Sequence, residues 1–223
     1  MRQILKDIYS ELILVLKGKT LDTLIPPILF AITLSLFDLN IALIVGLFFS
    51  SILFMVRFIK KDKKRYAIFG FLGVGIAAIF SYLNQSAITY FIPDVLGSGI
   101  SLLVAIVSFI MRKPLAAYVS HITRGWPIDW FLRDDVRPAY QEVTLIWMIY
   151  FLFRTVLETT IYLTGSVNQF VWVNTLLGLP LLIFILTVSY VYGIWRLRTL
   201  KGPGVDEYIN KKEPPYKGQT KGF

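Results

Sequence analysis

Arg154 and Glu158 lie four residues apart inside the apolar stretch 145–164 and are its only charged residues. On a helix that spacing puts both side chains on one face. An isolated Arg near the bilayer centre costs at least about 2.5–3.5 kcal/mol on insertion scales, so such a pair is expected to avoid lipid. Thr155 and Thr159 widen the pair into a polar stripe, and Asn174 enters the next apolar stretch at a matching depth. Together Arg154, Glu158, Asn174, Thr155 and Thr159 form a candidate intramembrane polar site. One role is an ion, proton or headgroup site in a bundle interior. The other is a self-neutralising pair that pins helix packing, with the Asn174 amide donating to the Glu158 carboxylate.

Other chemistry finds less support. Ser98 and His121 are the residue types of a nucleophile and its base, which must approach to about 3 Å. Ser98 falls in the outer half of the stretch 91–111 and His121 about ten residues past its inner end, so their depths keep them apart. Asp129, Asp134 and Asp135 resemble a metal site for a lipid enzyme, but Arg133 and Arg137 stand beside the pair and neutralise it. The run Gly73-Val74-Gly75-Ile76-Ala77-Ala78 imitates a dinucleotide fingerprint, which needs a strand before it and a helix after it. Here it lies inside an apolar stretch, where small residues serve close helix approach. Asn84-Gln85-Ser86 matches a glycosylation sequon and reads as a chance match. There is no cysteine and a single histidine, which removes thiolate metal sites, iron–sulfur clusters and bis-histidine haem. No catalytic set, metal or cofactor is expected.

The elements that position the stripe are six apolar stretches, near 21–37, 41–59, 66–83, 91–111, 145–164 and 170–194. Of the 23 Lys and Arg, all but Arg154 fall in segments that one alternating topology leaves on the same side or, as Arg57 does, within three residues of the inner end of a stretch. Basic residues are held back from translocation, so that side is the cytoplasm. The expected fold is an all-α polytopic bundle of about six transmembrane helices in the inner (plasma) membrane, with both termini cytoplasmic. Lys60, Lys61, Lys63, Lys64 and Arg65, with Arg112 and Lys113, form the basic anchor at the membrane surface. The formal charge of +9 then reflects topology and attraction to anionic headgroups rather than nucleic acid.

Residues 1–20 place Ile4, Leu5, Ile8, Leu12, Val15 and Leu16 at helical spacing, as an amphipathic helix in the inner interface would. No cleaved signal peptide is expected. The first stretch is short for a full crossing and reads as either a span or a re-entrant segment. Residues 112–142 form the longest inner loop, with Leu115–Ile122 as a surface helix and Trp126, Trp130 and Phe131 in the headgroup zone. The last stretch reads as one long tilted helix. Residues 201–223 are basic and rich in Pro and Gly, the composition of a flexible cytoplasmic tail.

Across residues 21–200 the chain resembles the bacterial intracellular septation protein A-like superfamily, and within it an uncharacterised multi-pass branch common in actinobacteria. The likeness rests on Leu24-Ile25-Pro26 entering the first stretch and Met111-Arg112-Lys113-Pro114-Leu115 closing the fourth. Val143 then opens the fifth, and Trp172-Val173-Asn174 leads into a long last stretch with a basic exit. The resemblance implies a scaffold or accessory subunit linked to septation or envelope synthesis, working through a membrane-protein partner or a second copy. Arg154 and Glu158 depart from that pattern. They leave open a small-solute or ion transporter or channel using the polar stripe, to which Ile25-Pro26 and Ile92-Pro93 add a weak inverted-repeat signal. An intramembrane lipid-modifying enzyme is the third reading.

Overall fold

The computed structural model describes residues 20–59, 64–219 and 222–223, and among these the regular structure is all helical, with no strand. The expected interfacial helix over 1–20, and the anchor residues Lys60, Lys61 and Lys63, lie outside the described residues, as do the side chains of Lys64 and Arg65. Among the described residues, four stretches are long and apolar enough to cross a membrane: Leu39–Val56, Ala87–Ile110, Arg137–Thr164 and Val167–Leu200. Phe71–Asn84 is a shorter apolar helix.

The chain divides into two compact units. One comprises Met1–Gly97 with Val156–Leu181, the other Ser98–Thr155 with Leu182–Phe223. In the first, α1 (Thr20–Leu36), α2 (Leu39–Ile59) and α3 (Lys64–Asn84) pack in succession. The Asp38 carboxylate accepts from the Ile41 amide at 2.9 Å and so caps the start of α2. Seventeen residues give α1 a length of about 25 Å, short of the ~30 Å hydrocarbon core. A short 3₁₀ turn, Ala87–Phe91, precedes α4 (Ile92–Ile110). The first unit's core is aromatic: Phe30 stacks on Tyr90 at 4.0 Å, and Phe91 on Phe170 at 4.7 Å. Ala42, Ala77 and Ala78 bring the backbones close around it. Meanwhile Ile44, Phe48, Ile76 and Ile79 point outward, the reverse of a water-soluble surface.

In the second unit, α4 ends where Arg112 turns into the left-handed region at φ 54° and Pro114 blocks continuation. Then follow α5 (Leu115–Arg124), ended by Gly125 at φ 71°, and the single turn α6 (Ile128–Phe131). The Ala116 amide donates to Thr144 Oγ1 at 3.2 Å, which fixes α5 against α7 (Arg137–Thr164). Trp130 and Phe131 occupy no headgroup zone here; both are fully buried in a core with Ala117, Val136, Tyr140, Val143 and Leu197. The reason is the chain beyond Leu200. Trp130 Nε1 donates to the Pro203 carbonyl at 2.9 Å, and Val205 and Phe223 join the same cluster. Residues whose composition marks a flexible tail thus supply part of this core.

Two boundaries differ from the expectation. The fifth apolar stretch starts its helix at Arg137, eight residues before Leu145, so the inner loop is shorter than 112–142. The last stretch is not one tilted helix. It is α8 (Val167–Leu177) and α9 (Leu179–Leu200), separated at Gly178. Pro180 has no N–H to donate and crowds the preceding turn, so the ladder cannot run through it. Gly178 ends α8 by donating to the Asn174 carbonyl at 2.8 Å. The last element is α10 (Val205–Ile209).

Candidate functional site

Along α7 the two charges of the expected stripe differ in burial. Glu158 is 1% exposed, although Leu152, Phe153 and Val156 nearby are open to the outside. Arg154 is half-buried, and its Nη1 donates to the Tyr150 hydroxyl, one turn back, at 3.4 Å. The Thr155 hydroxyl is buried and makes no hydrogen bond among the described residues, while its methyl lies 3.9 Å from where a Cβ on Gly99 would stand. Thr159 is half-buried.

Asn174 has a partner that sequence depth did not single out. Its Nδ2 donates to Asp94 Oδ2 at 3.3 Å, joining α8 to the first turn of α4 within the first unit. One turn before Asp94, the Tyr90 hydroxyl is buried without a hydrogen bond among the described residues, its ring stacked on Phe30 and edge-on to Phe91. The first unit therefore holds Asp94, Glu158, Asn174 and Tyr90 within apolar helices. These are groups able to hold a cation or a proton. Tyr90 and the role of Asp94 escaped the sequence reading. The available signal was a Tyr and an Asp four residues apart around Pro93.

A second polar set was also missed. Glu142, near the start of α7, accepts Arg196 Nε and Nη2 at 2.8 and 2.9 Å and the Tyr192 hydroxyl at 2.6 Å. Tyr192 and Arg196 are four apart on α9, a spacing visible in the sequence. This fork closes the basic end of the α7–α9 pair in the second unit.

Among the other candidates, Arg133 forms a bidentate pair with Asp135 at 2.8 Å, and Arg137 pairs with Asp134. The Asp135 carboxylate, by accepting its hydrogen bonds, raises the Arg133 guanidinium above its ordinary pKa. This is the salt-bridged loop that the local charges implied. No group of three or more His, Cys, Asp or Glu is placed to hold a metal among the described residues. His121 Nδ1 pairs with the Trp126 carbonyl, in α5 and its following turn. Arg112 and Lys113 are exposed at the end of α4, where a basic surface anchor would stand.

The chain belongs to the family described as protein of unknown function, DUF3159, whose model matches residues 18–198. No curated protein and no solved structure matches it.

Proposed function

We propose, taking membership of that family as the premise, that this is a six-span inner-membrane protein with both ends in the cytoplasm. It acts as a scaffold or accessory subunit of a membrane complex in envelope synthesis or septation. The observation that carries the reading is the folded module on the basic side: α5, α6 and the segment after Leu200 share one aromatic core. A crossing protein that needed only to connect its helices would not require such a core. A rigid cytoplasmic face is what a subunit offers to other proteins. Its polar groups within the helices are arranged in keeping with this, since Glu142 with Arg196 and Asp94 with Asn174 join separate helices. The likeness to septation protein A-like proteins supports the cellular setting. Tagged protein extracted in mild detergent should carry a stoichiometric membrane-protein partner or a second copy. Purification as a lone monomer from cells grown at native expression would overturn the reading.

One observation favours transport as the second reading. The last apolar stretch is broken at Gly178, and Asn174 and Asp94 lie beside the break. Discontinuous helices of this kind build solute and ion sites in secondary transporters. Counterflow in proteoliposomes that disappears in Asp94→Asn would decide for it.

A further inference from the structure

Phe223 is 9% exposed, and Tyr140, Gly193 and Arg124, which it touches, belong with it to the second unit. Its ring lies flat on Tyr140, centroids 4.3 Å apart and planes at 8°. Phe131 stands edge-on to Tyr140 at 4.9 Å, completing the floor. On the α9 side, the space for the ring exists because residue 193 is glycine; a Cβ there would overlap the Phe223 ring. Gly222 fits twice over. Its φ of 75° suits glycine, and a Cβ would come within 2.7 Å of the Trp126 indole.

Main-chain groups are recognised as well. Arg124 Nε donates to the Phe223 main-chain oxygen at 2.8 Å, the Gly222 amide donates to the Tyr190 hydroxyl at 3.3 Å, and Gln219 Nε2 donates to the Gly222 carbonyl at 3.3 Å. The Arg124 guanidinium is itself held over Trp126, 5.1 Å from the ring centre. The Tyr140 hydroxyl is buried and makes no hydrogen bond among the described residues, so this ring serves through its face. A flat aromatic floor, a gap cut by Gly193, and polar groups on the main chain of one dipeptide are the parts of a peptide-binding site.

We propose that the cleft formed by Tyr140, Phe131, Gly193, Arg124, Tyr190 and Trp126 is a peptide receptor selective for a Gly-Phe segment, and that the chain's own Gly222–Phe223 fills it reversibly. The inference deepens the reading as a subunit that acts through protein contacts, by naming the surface. Specificity comes from the two glycines: the ring needs Gly193 beneath it, and the indole of Trp126 admits only glycine before the phenylalanine. The receptor is a property of the second unit alone.

The test uses the full chain in detergent and a fluorescent peptide with the sequence of residues 215–223. The Phe223→Ala chain, whose receptor is emptied, should bind this peptide saturably and about tenfold or more tightly than the unaltered chain does. A peptide with alanine in place of its phenylalanine should lose that binding. Adding Gly193→Ala to the Phe223→Ala chain should remove it too, although alanine favours the helix and leaves α9 intact. Equal binding by both peptides, or no gain in Phe223→Ala, overturns the proposal. Independently of folding in the emptied variant, Gly193→Ala alone should expose the segment after Gly202 to protease, with the melting temperature of the membrane helices unchanged. A cleavage rate equal to that of the unaltered chain overturns it as well. Failure of either measurement concerns the cleft only, because co-purification of a membrane partner tests the subunit reading separately.

Discussion

Asn174 gives its side-chain amide to the Asp94 carboxylate, bridging 80 positions of sequence with one 3.3 Å hydrogen bond. It ties α8 to the first turn of α4 inside apolar surroundings. Interhelical bonds of this type in membranes average about 0.6 kcal/mol and reach about 1.7. A double-mutant cycle with Asp94→Ala and Asn174→Ala, read by detergent melting, should return a coupling in that range. A coupling indistinguishable from zero would show the bond to be incidental.

Arg196 should matter more than its exposure indicates. About a third of each partner's side chain is exposed, so screening reduces the pair, but the fork geometry and the Tyr192 hydroxyl add to it. Arg196→Ala is expected to cost about 1 kcal/mol, and Arg196→Lys a smaller part, since an ammonium cannot present the two parallel donors. Thermal unfolding of the two variants checks the order.

The stripe on α7 yields a charge-balance test. Glu158→Gln retains the Arg154 charge and removes its counter-charge one helical turn away in sequence. Arg154→Gln with Glu158→Gln removes both. If these residues serve packing, the double variant melts nearer to the unaltered protein than the single and still supports growth. A double variant that folds normally and loses function would place them in a ligand site.

Topology can be read by accessibility, since the chain has no native cysteine. Cysteines at Asn40, Ser86 and Asn168 should react with an impermeant thiol reagent in intact cells. Cysteines at Lys63 and Thr123 should not. Labelling of Lys63 from outside would sink the arrangement with both ends in the cytoplasm.

Acid should release the segment around α10. The Glu207 carboxylate accepts the amides of Lys217 at 2.8 Å, Gly204 at 2.9 Å and Gly218 at 3.0 Å. The Lys217 amide first, then that of Gly204, holds its pKa below the ordinary 4.5. A group depressed on folding stabilises fully above its unfolded value, and that contribution fades as pH falls through the lower, folded one. Hydrogen-exchange protection over residues 204–218, taken relative to the intrinsic rate at each pH, should therefore hold at neutral pH and fall only below about 4.5. Glu207→Gln should show fast exchange already at neutral pH, with the acid step gone.

Sequence periodicity made some elements plain. The amphipathic run after Pro114 became α5, and the apolar runs after Asp38 and Pro93 became α2 and α4. Hydropathy hid the break at Gly178, because Leu179, Leu181 and Leu182 keep the average high while Pro180 interrupts the hydrogen bonds. Trp130 and Phe131 misled for a related reason. Aromatic residues beside a membrane helix serve equally well at an interface or in a small core, and only the return of Pro203 and Phe223 decides between them. Sequence depth does not say which neighbour Asn174 faces, because depth leaves azimuth undetermined. The face that α8 turns toward Asp94 follows from the stacking of Phe91 on Phe170, a contact with no local signature.

The division of the last apolar stretch bears on how the protein enters its membrane. The apolar part of α9, residues 179–195, holds 17 residues and is about 25 Å long, as short of the ~30 Å hydrocarbon core as α1. A crossing there would draw on α8 as well, so polar substitutions in the 11 residues of α8 would count against insertion together with those in α9.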